Sequence, residues 1–315
     1  MRAIIIGFGV QGAKRKKIVE ECGGTVVAVV DPFSAAATAF AVEDVPLENY
    51  DAAFVCTPDE AKNSILHYLI DNKKHVLVEK PLLFQDIHEA RVLINLAEKN
   101  RVSCYTAYNH RFEPHFVKMK EVIDSGFLGK IYNVSLLYGN GTARLVQQSP
   151  WRDQGQGVLA DLGSHLLDTF LFWFGHTDYE FSIVKANCFE NKAFDHLVFA
   201  SHQAEPFVQC ELSLLSWRND FRADFYGEKG SAHISSLCKW GPSTLTLRKR
   251  LLPSGRPPEE ATTLVQEDPT WRAEYLYFKE SCQKGLANLS NDLWIQEKLD
   301  TLFVQTQQGN KKNVA

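Results

Sequence analysis

The chain has 315 residues, of which 45% are hydrophobic and 23% charged, a composition that excludes extended disorder. Its net charge of -4 gives no electrostatic reason to expect nucleic acid or an anionic membrane as a partner, so a small molecule is the expected ligand. A chain of this length predicts two domains of ordinary size.

The chain opens directly on an apolar strand and lacks the basic and apolar segments of a signal peptide. Its longest apolar runs fall short of the roughly 18 residues that a membrane-spanning helix needs. The seven cysteines are scattered, odd in number and without a Cys-x-x-Cys pair. This pattern predicts free thiols in a cytoplasmic protein and neither disulfides nor a metal site.

Through about residue 110, short apolar strands alternate with helical stretches. This is the pattern of a doubly wound α/β domain, a parallel sheet with helices on both faces. Helices are indicated at 59–70, which follows Pro58, and at 87–98, where apolar residues recur on one face. The strands are predicted at 3–6, 25–30, 51–56, 75–78 and 102–106.

Beyond Pro114 strands follow one another with short connections, which predicts an α+β domain with an open, mainly antiparallel sheet. The domains are predicted at 1–118 and 119–315, with the last helix, about 292–308, packing back on the first domain. By composition 252–260 is a surface loop. Strands are predicted at 131–138, 181–189, 197–202, 207–215, 221–226, 232–236 and 244–248, and helices at 116–124, 157–174, 270–283 and 292–307.

A glycine-rich turn between the first strand and the first helix predicts a dinucleotide site. Gly7 would allow the tight turn, Gly9 the close approach of a pyrophosphate, and Gly12 the packing of helix on strand. Asp31 ends the next strand, 19 residues after Gly12, and its carboxylate would bind the adenosine ribose and repel a 2′-phosphate. NAD is therefore the predicted cofactor, with NADP the less favoured alternative. The residues of the turn are Gly7, Phe8, Gly9, Val10, Gln11 and Gly12.

A cationic run, Lys14, Arg15, Lys16 and Lys17, begins the first helix, where positive charge opposes the helix dipole. Its side chains form either a solvated face or a counter-charge for cofactor phosphates. The second interpretation keeps NADP open.

Two positions outside the glycine turn suggest proton chemistry. Lys80 follows a predicted strand at the carboxyl edge of the sheet, where ligands gather. Asp161 and His165 are four residues apart in a predicted helix and share a face, with Asp168 nearby. Flanking carboxylates can fix the tautomer of a histidine and raise its basicity. This predicts a general base, with a surface lysine and a core histidine as the alternatives.

Several motifs in this order resemble the Gfo/Idh/MocA family of NAD(P)-dependent oxidoreductases. They are the glycine turn, Thr57-Pro58, Glu79-Lys80-Pro81, the segment 108–114 and the segment 157–168, and they cover nearly the whole chain. The resemblance implies an N-terminal Rossmann domain and a C-terminal open sheet used in oligomerisation, with substrate bound between them. We expect a homodimer or homotetramer, because a sheet with helices on one face leaves an apolar face to cover.

The resemblance also implies roles for individual residues. Lys80 would contact the substrate hydroxyl, Asp161 would bind and orient the substrate, and His165 would be the general acid/base. Arg15 and Lys62 stand where the family often has histidines, and Gln156 replaces a common glycine. Further cofactor contacts are implied for Thr57, Pro58, Glu79 and Lys80, and further substrate contacts for Asn109, Arg111, Trp151 and Arg152.

The sequence thus predicts an NAD(P)-dependent dehydrogenase or reductase acting on CH-OH groups of a sugar, cyclitol or nucleotide-linked sugar. The segment 149–154 resembles family members of surface-polysaccharide pathways, which favours a nucleotide sugar. One alternative is an NADP-linked ketosugar reductase or diol dehydrogenase. Another is a non-catalytic dinucleotide-binding regulator, against which the intact set of Lys80, Asp161 and His165 argues.

Overall fold

A computed structural model describes residues 1–149, 152–202 and 205–312, which form two compact units. The first unit comprises Met1–Asn109 and Thr270–Gln296. The second comprises His110–Pro269 and the chain from Glu297 onward. The first boundary therefore lies at Asn109 and not at the predicted residue 118, and the predicted domain 119–315 is interrupted by a segment of the first unit.

The centre of the first unit is a five-stranded parallel sheet in the order β2-β1-β3-β4-β5. The strand β3 is an apolar run that is buried throughout, and β1 and β4 are buried beyond their first residues, as helices on both faces require. All five predicted strands and both predicted helices are confirmed to within two residues at each end. The elements are β1 (Arg2–Ile6), α1 (Val10–Glu21), β2 (Thr25–Val30), β3 (Ala52–Val55), α2 (Asp59–Asp71), β4 (His75–Val78), α3 (Ile87–Asn100) and β5 (Cys104–Thr106).

In the part of the chain that the structure describes, the second unit contains α-helices and an eight-stranded sheet in the order β13-β12-β11-β10-β6-β9-β8-β7. Its helices are α4 (Pro114–Asp124), α5 (Ala143–Gln147), α6 (Ser164–Phe174) and the C-terminal part of α8 (Leu289–Lys312), whereas α7 (Thr270–Lys284) belongs to the first unit. Its strands are β6 (Ile131–Gly139), β7 (Phe181–Asn187), β8 (His196–Ser201), β9 (Phe207–Ser213), β10 (Asp220–Gly227), β11 (Gly230–Ser235), β12 (Ser243–Lys249) and β13 (Glu259–Leu264).

One pair of strands in this sheet is parallel. β6 runs parallel to β9, whereas every other pairing in the sheet is antiparallel. The reason is the connection, because after β6 the chain passes through α5 and α6 to β7 at one edge of the sheet, and the antiparallel strands β8 and β9 then bring it back beside β6. A connection of that length permits parallel neighbours, which short hairpins do not.

The expectation of a surface loop over 252–260 is wrong at its end. Glu259–Leu264 forms the edge strand β13 and pairs with β12. Its side chains are almost all exposed, so the apolar alternation that marks a strand is missing from the sequence. Charged residues such as Glu259 and Glu260 suit an edge that must not pair with another molecule.

The predicted helix at 157–174 is a π-helical turn, Leu159–Gly163, followed by α6. α6 is buried on nearly every side, which explains its almost entirely apolar composition. Trp173 packs against Phe116 of α4 and donates its indole N–H to the Phe116 carbonyl at 3.0 Å. A helix held this firmly gives the side chains at its N-terminal end fixed positions.

Within the described ranges, no helix is both long and apolar enough to cross a bilayer. The same residues bring together no group of three or more His, Cys, Asp or Glu side chains suited to a metal ion. The seven cysteines are free thiols.

Candidate active site

The glycine turn joins β1 to α1 and leaves no room for side chains at two positions. Gly7 has φ +85°, and a Cβ there would lie 2.7 Å from the Cys56 carbonyl oxygen. A Cβ on Gly12 would lie 2.1 Å from the Gly7 carbonyl oxygen, so glycine is required. Around Gly9, by contrast, no protein atom lies within 4 Å of a Cβ position. This open space at the N-terminus of a helix suits a pyrophosphate.

Asp31, at the end of β2, is bonded to the glycine turn. Its Oδ2 accepts the Phe8 N–H at 2.7 Å, and its Oδ1 accepts those of Phe33 at 2.8 Å and Ser34 at 3.1 Å. These bonds, the one from Phe8 foremost, lower the pKa of the Asp31 carboxyl. A carboxylate offers about four acceptor positions, so Asp31 can brace the turn and still bind a ribose hydroxyl.

Arg15 is neither part of a solvated face nor available as a counter-charge for cofactor phosphates. Both interpretations of the cationic run are therefore wrong for this residue. It is 1% exposed, and its guanidinium donates to Glu79 Oε1 at 2.7 Å and Glu274 Oε2 at 2.5 Å. The guanidinium carbon of Arg15 lies 4.1 Å from the centroid of the Trp271 ring. The solvated-face interpretation fits Lys16 and Lys17, which form exposed pairs one helical turn along α1.

Two buried hydroxyl groups lie at the carboxyl edge of the parallel sheet, after β3 and at the end of β5. Among the described residues, Thr57 Oγ1 and Thr106 Oγ1 have no hydrogen-bond partner. Buried polar atoms normally have one, and a ligand with amide or hydroxyl groups would supply it. Together with the open space at Gly9 they fit a nicotinamide dinucleotide. Sequence analysis missed Thr106, although its position at a strand end was the available signal.

The segment Glu79-Lys80-Pro81 is anchored from two sides. Arg15 holds the Glu79 carboxylate, and Lys62 donates to the Pro81 carbonyl at 2.7 Å. Lys62 is 2% exposed and also donates to Asp59 Oδ1 at 2.6 Å, while burial lowers the pKa of its ammonium group. The two basic residues that replace histidines of the family therefore fix the backbone that carries Lys80.

In the second unit, His165 lies in the first turn of α6, directly after the π-helical turn. Its side chain is 6% exposed. The His110 ring stacks on it with centroids 4.0 Å apart and planes 16° apart, and the Tyr138 ring stands 5.9 Å away. π-Helical turns occur frequently at functional sites. The imidazole is thus fixed in orientation, as an acid/base group needs to be.

The two carboxylates expected beside His165 each hold an arginine. Asp161 Oδ2 accepts Arg152 Nη2 at 2.9 Å, with both side chains about a third exposed. Asp168 is fully buried and accepts Arg111 through both carboxylate oxygens at 2.6–2.9 Å. Burial raises the pKa of the Asp168 carboxyl, and Arg111 opposes that shift. The Arg111–Asp168 pair ties the segment before α4 to α6.

The predicted substrate residue Asn109 and the departure from the family at Gln156 both have structural contacts. Asn109 is 8% exposed and its amide donates to Thr270 Oγ1 at 2.8 Å within the first unit. Gln156, the replacement for a glycine, donates to Asp300 Oδ1 at 2.9 Å in the second. Trp151 lies outside the described residues. Sequence analysis assigned no role to His110 or to Lys239, since nothing in the local pattern shows that they meet.

Two family models match the chain, one in each unit. An oxidoreductase family with an NAD-binding Rossmann fold matches residues 1–108, and the GFO/IDH/MocA C-terminal domain matches residues 116–233. The chain belongs to the Gfo/Idh/MocA family of oxidoreductases. The predicted family, the predicted fold class and NAD as cofactor are thereby confirmed.

The chain spans about half the length of the curated relatives it matches. Inositol 2-dehydrogenase of Rhizobium meliloti is 25% identical over 186 residues, 54% of this chain and 55% of that protein. Among solved structures, GenD2 from gentamicin A biosynthesis in complex with NAD has a TM-score of 0.80 at 17% identity, covering 98% of this chain and 95% of that one. UDP-N-acetylglucosamine 3-dehydrogenase GnnA from Acidithiobacillus ferrooxidans has a TM-score of 0.79 at 17% identity over 97% of each chain. These two structures show that the fold is shared.

Proposed function

We propose that this oxidoreductase transfers hydride between NAD and a secondary alcohol or ketone of a sugar, cyclitol or nucleotide-linked sugar. The observation that carries the proposal is the His165 imidazole, which is nearly buried and fixed in orientation in a chain whose first unit is an NAD-binding domain. The rings of His110 and Tyr138 pack against this imidazole and hold its plane.

The first unit holds the cofactor in this proposal. The glycine turn takes the pyrophosphate, Asp31 the adenosine ribose, and the hydroxyl groups of Thr57 and Thr106 the polar groups near the strand ends. NAD, when bound, supplies the nicotinamide ring that accepts or returns the hydride. The negative charge of Asp31 opposes the 2′-phosphate of NADP.

His165 is the proton acceptor in the oxidation of the alcohol. The hydroxyl proton passes to the imidazole while hydride leaves the same carbon for the cofactor, so the alcohol loses one proton and one hydride. Lys80 stabilises the negative charge that develops on the substrate oxygen, the task of a fixed cation in a catalytic site. Asp161, held by Arg152, binds a substrate hydroxyl.

A polyhydroxylated substrate is favoured by two features. The Asp161–Arg152 pair, each side chain about a third exposed, offers both acceptors and donors to hydroxyl groups. The relatives named above are an inositol dehydrogenase and, at the level of fold, a dehydrogenase of a nucleotide sugar. A nucleotide-linked sugar is the narrower candidate.

The test is a panel of cyclitols, free sugars and nucleotide sugars, each incubated with NAD while NADH absorbance is followed. With the active compound deuterated at the carbinol carbon, mass spectrometry should find the deuterium in NADH. The Lys80→Met protein, purified in the same way, controls for a contaminating dehydrogenase. NADH binding without turnover on any member of the panel would contradict the proposal and favour a dinucleotide-binding regulator.

A further inference from the structure

His110 belongs to the same compact side-chain cluster as His165 but comes from a different element, a 3₁₀ turn at Asn109–Phe112. It is completely buried, and its ring lies nearly parallel to that of His165. Phe116 and Tyr138 pack against its other sides at 6.1 Å and 5.3 Å between ring centroids. Two imidazoles stacked at 4.0 Å cannot both carry a proton charge without strong repulsion.

Lys239 determines which nitrogen of His110 is unprotonated. Its Nζ lies 3.0 Å from His110 Nε2. An ammonium group has three donors and no acceptor, so in this bond the lysine donates and Nε2 accepts. A ring that accepts at Nε2 carries its proton at Nδ1 and is neutral. A charged lysine in this bond thus requires an uncharged His110 ring.

Lys239 is held in place by the turn on which it lies, Cys238–Trp240. The buried Glu113 accepts the Cys238 N–H at 3.0 Å. Within the turn, Lys239 Nζ lies 4.9 Å from the centroid of the Trp240 ring. Burial raises the pKa of the Glu113 carboxyl, against the attraction of Lys239. Asp268 lies near enough to Glu113 to raise that pKa further.

Tyr138 and two carboxylates are further titratable groups in this part of the second unit. Tyr138 is buried, and burial raises the pKa of its phenol, so it remains neutral. Asp161 is paired with Arg152 at the start of the helical segment. The Asp168 carboxylate is paired with Arg111 on the following turn of α6. Lys239 is the cation bonded directly to the ring that covers His165.

We propose that His110 and Lys239 are positioning residues that keep His165 unprotonated and ready to accept a proton. The neutral His110 ring fixes the plane of the His165 ring, and the positive charge of Lys239, one ring away, disfavours a second positive charge on His165. The inference rests on the proposed function, because it concerns the same proton acceptor. It goes beyond that function by assigning the pH range of activity to two residues that do not touch the reacting atoms.

The kinetic test is the pH profile of kcat/KM for alcohol oxidation by Lys239→Met. Loss of the cation should raise the pKa of His165, so the acidic limb should move to higher pH by about one unit. At the low-pH end the rate should fall about tenfold, and on the alkaline plateau it should be near normal. Lys239→Arg should keep the limb in place. Lys130→Met, which removes an exposed lysine on another part of the sheet, should not move it.

A second measurement needs no turnover. The pKa of His165 is read by NMR from its ring C–H signal, assigned by comparison with His165→Asn, in the unmodified protein, Lys239→Met and His110→Phe. Lys239→Met should raise it because the cation is lost, whereas His110→Phe, which keeps a stacked ring and the lysine charge, should raise it less. If folded Lys239→Met shows an unchanged His165 pKa and an unchanged acidic limb of the pH profile, the inference is overturned. This holds even if the protein has full dehydrogenase activity. A raised pKa in a protein that oxidises nothing on the panel would support it while the proposed function fails.

Discussion

The glycine turn and the histidine cluster are built in opposite ways. The turn consists of the backbone of six consecutive residues, Gly7 to Gly12, and its shape depends on side chains being absent. The cluster consists of side chains, His110, Tyr138, His165 and Lys239, that come from four separate elements. The turn offers backbone N–H groups and an open space, and its charge does not change with pH. The cluster offers groups whose charge changes with pH and with each neighbour.

This difference predicts which property of the protein each kind of mutation should change. Changes in the turn should affect folding and cofactor binding and leave the pH profile of the remaining activity alone. Changes in the cluster should affect turnover and its pH dependence and leave cofactor binding alone. The predictions that follow would break this separation or sharpen it.

The largest effect is expected for Gly12→Ala. Its Cβ would lie 2.1 Å from the Gly7 carbonyl, so the turn must open. We expect a loss of stability of about 1–3 kcal/mol, as for overpacking, together with loss of NADH binding. Denaturant unfolding and NADH fluorescence titration measure the two quantities. Gly9→Ala is the control, since its Cβ meets no protein atom within 4 Å. It should fold normally and lose only cofactor affinity, and normal NADH binding by Gly12→Ala would contradict the account.

Lys80→Met should come next, with kcat/KM for alcohol oxidation lowered about 10²- to 10³-fold, because a charge on the substrate oxygen loses its counter-charge. The melting temperature and NADH affinity should change little. Lys80→Arg should recover part of the rate, and Lys99→Met on the exposed face of α3 should have none of these effects. Steady-state kinetics with the active member of the panel decide the matter. A rate near normal in Lys80→Met would remove Lys80 from the mechanism.

Asp31→Ser should have a smaller effect, mainly on cofactor binding, with a small loss of stability because the Phe8 N–H loses its carboxylate acceptor. Loss of charge-assisted hydrogen bonds should weaken NADH binding by about 1.5–3 kcal/mol, while NADPH binding should improve because the 2′-phosphate is no longer repelled. Phe8 lowers the pKa of Asp31, so the preference of the unmodified protein for NADH should hold from about pH 8 to about pH 5. Fluorescence titration of both cofactors at the two pH values measures this. Equal affinity for NADPH in the unmodified protein would sink the prediction.

The sequence predicted local features of the chain better than contacts between distant residues, for a physical reason. The glycine turn and Asp31 could be proposed as a cofactor site because of where they lie along a strand and a helix, and that position is a local property of the sequence. Arg15 was misread because the partner that buries it, Glu274, lies 259 residues away. β13 was read as loop because an edge strand with exposed side chains lacks apolar alternation.

The histidine cluster shows the same limit more clearly. His165 could be singled out from its spacing to Asp161, but the structure pairs that carboxylate with Arg152 and stacks His110 on the histidine. Lys239 is one lysine among many in the sequence. Its contact with His110 exists only because the turn at Cys238–Trp240 is folded against Glu113. Such a contact depends on tertiary packing, which no local pattern reports.

The most direct test of the separation between the two regions is a paired measurement on His165→Asn. NADH affinity by fluorescence titration and kcat for alcohol oxidation are determined on the same preparation, with the melting temperature alongside. The account predicts unchanged NADH affinity and melting temperature, with kcat lowered about 10²- to 10⁴-fold as expected for a lost general base. Near-normal kcat, or a loss of NADH affinity that parallels a fall in melting temperature, would contradict it and make His165 a residue of the core.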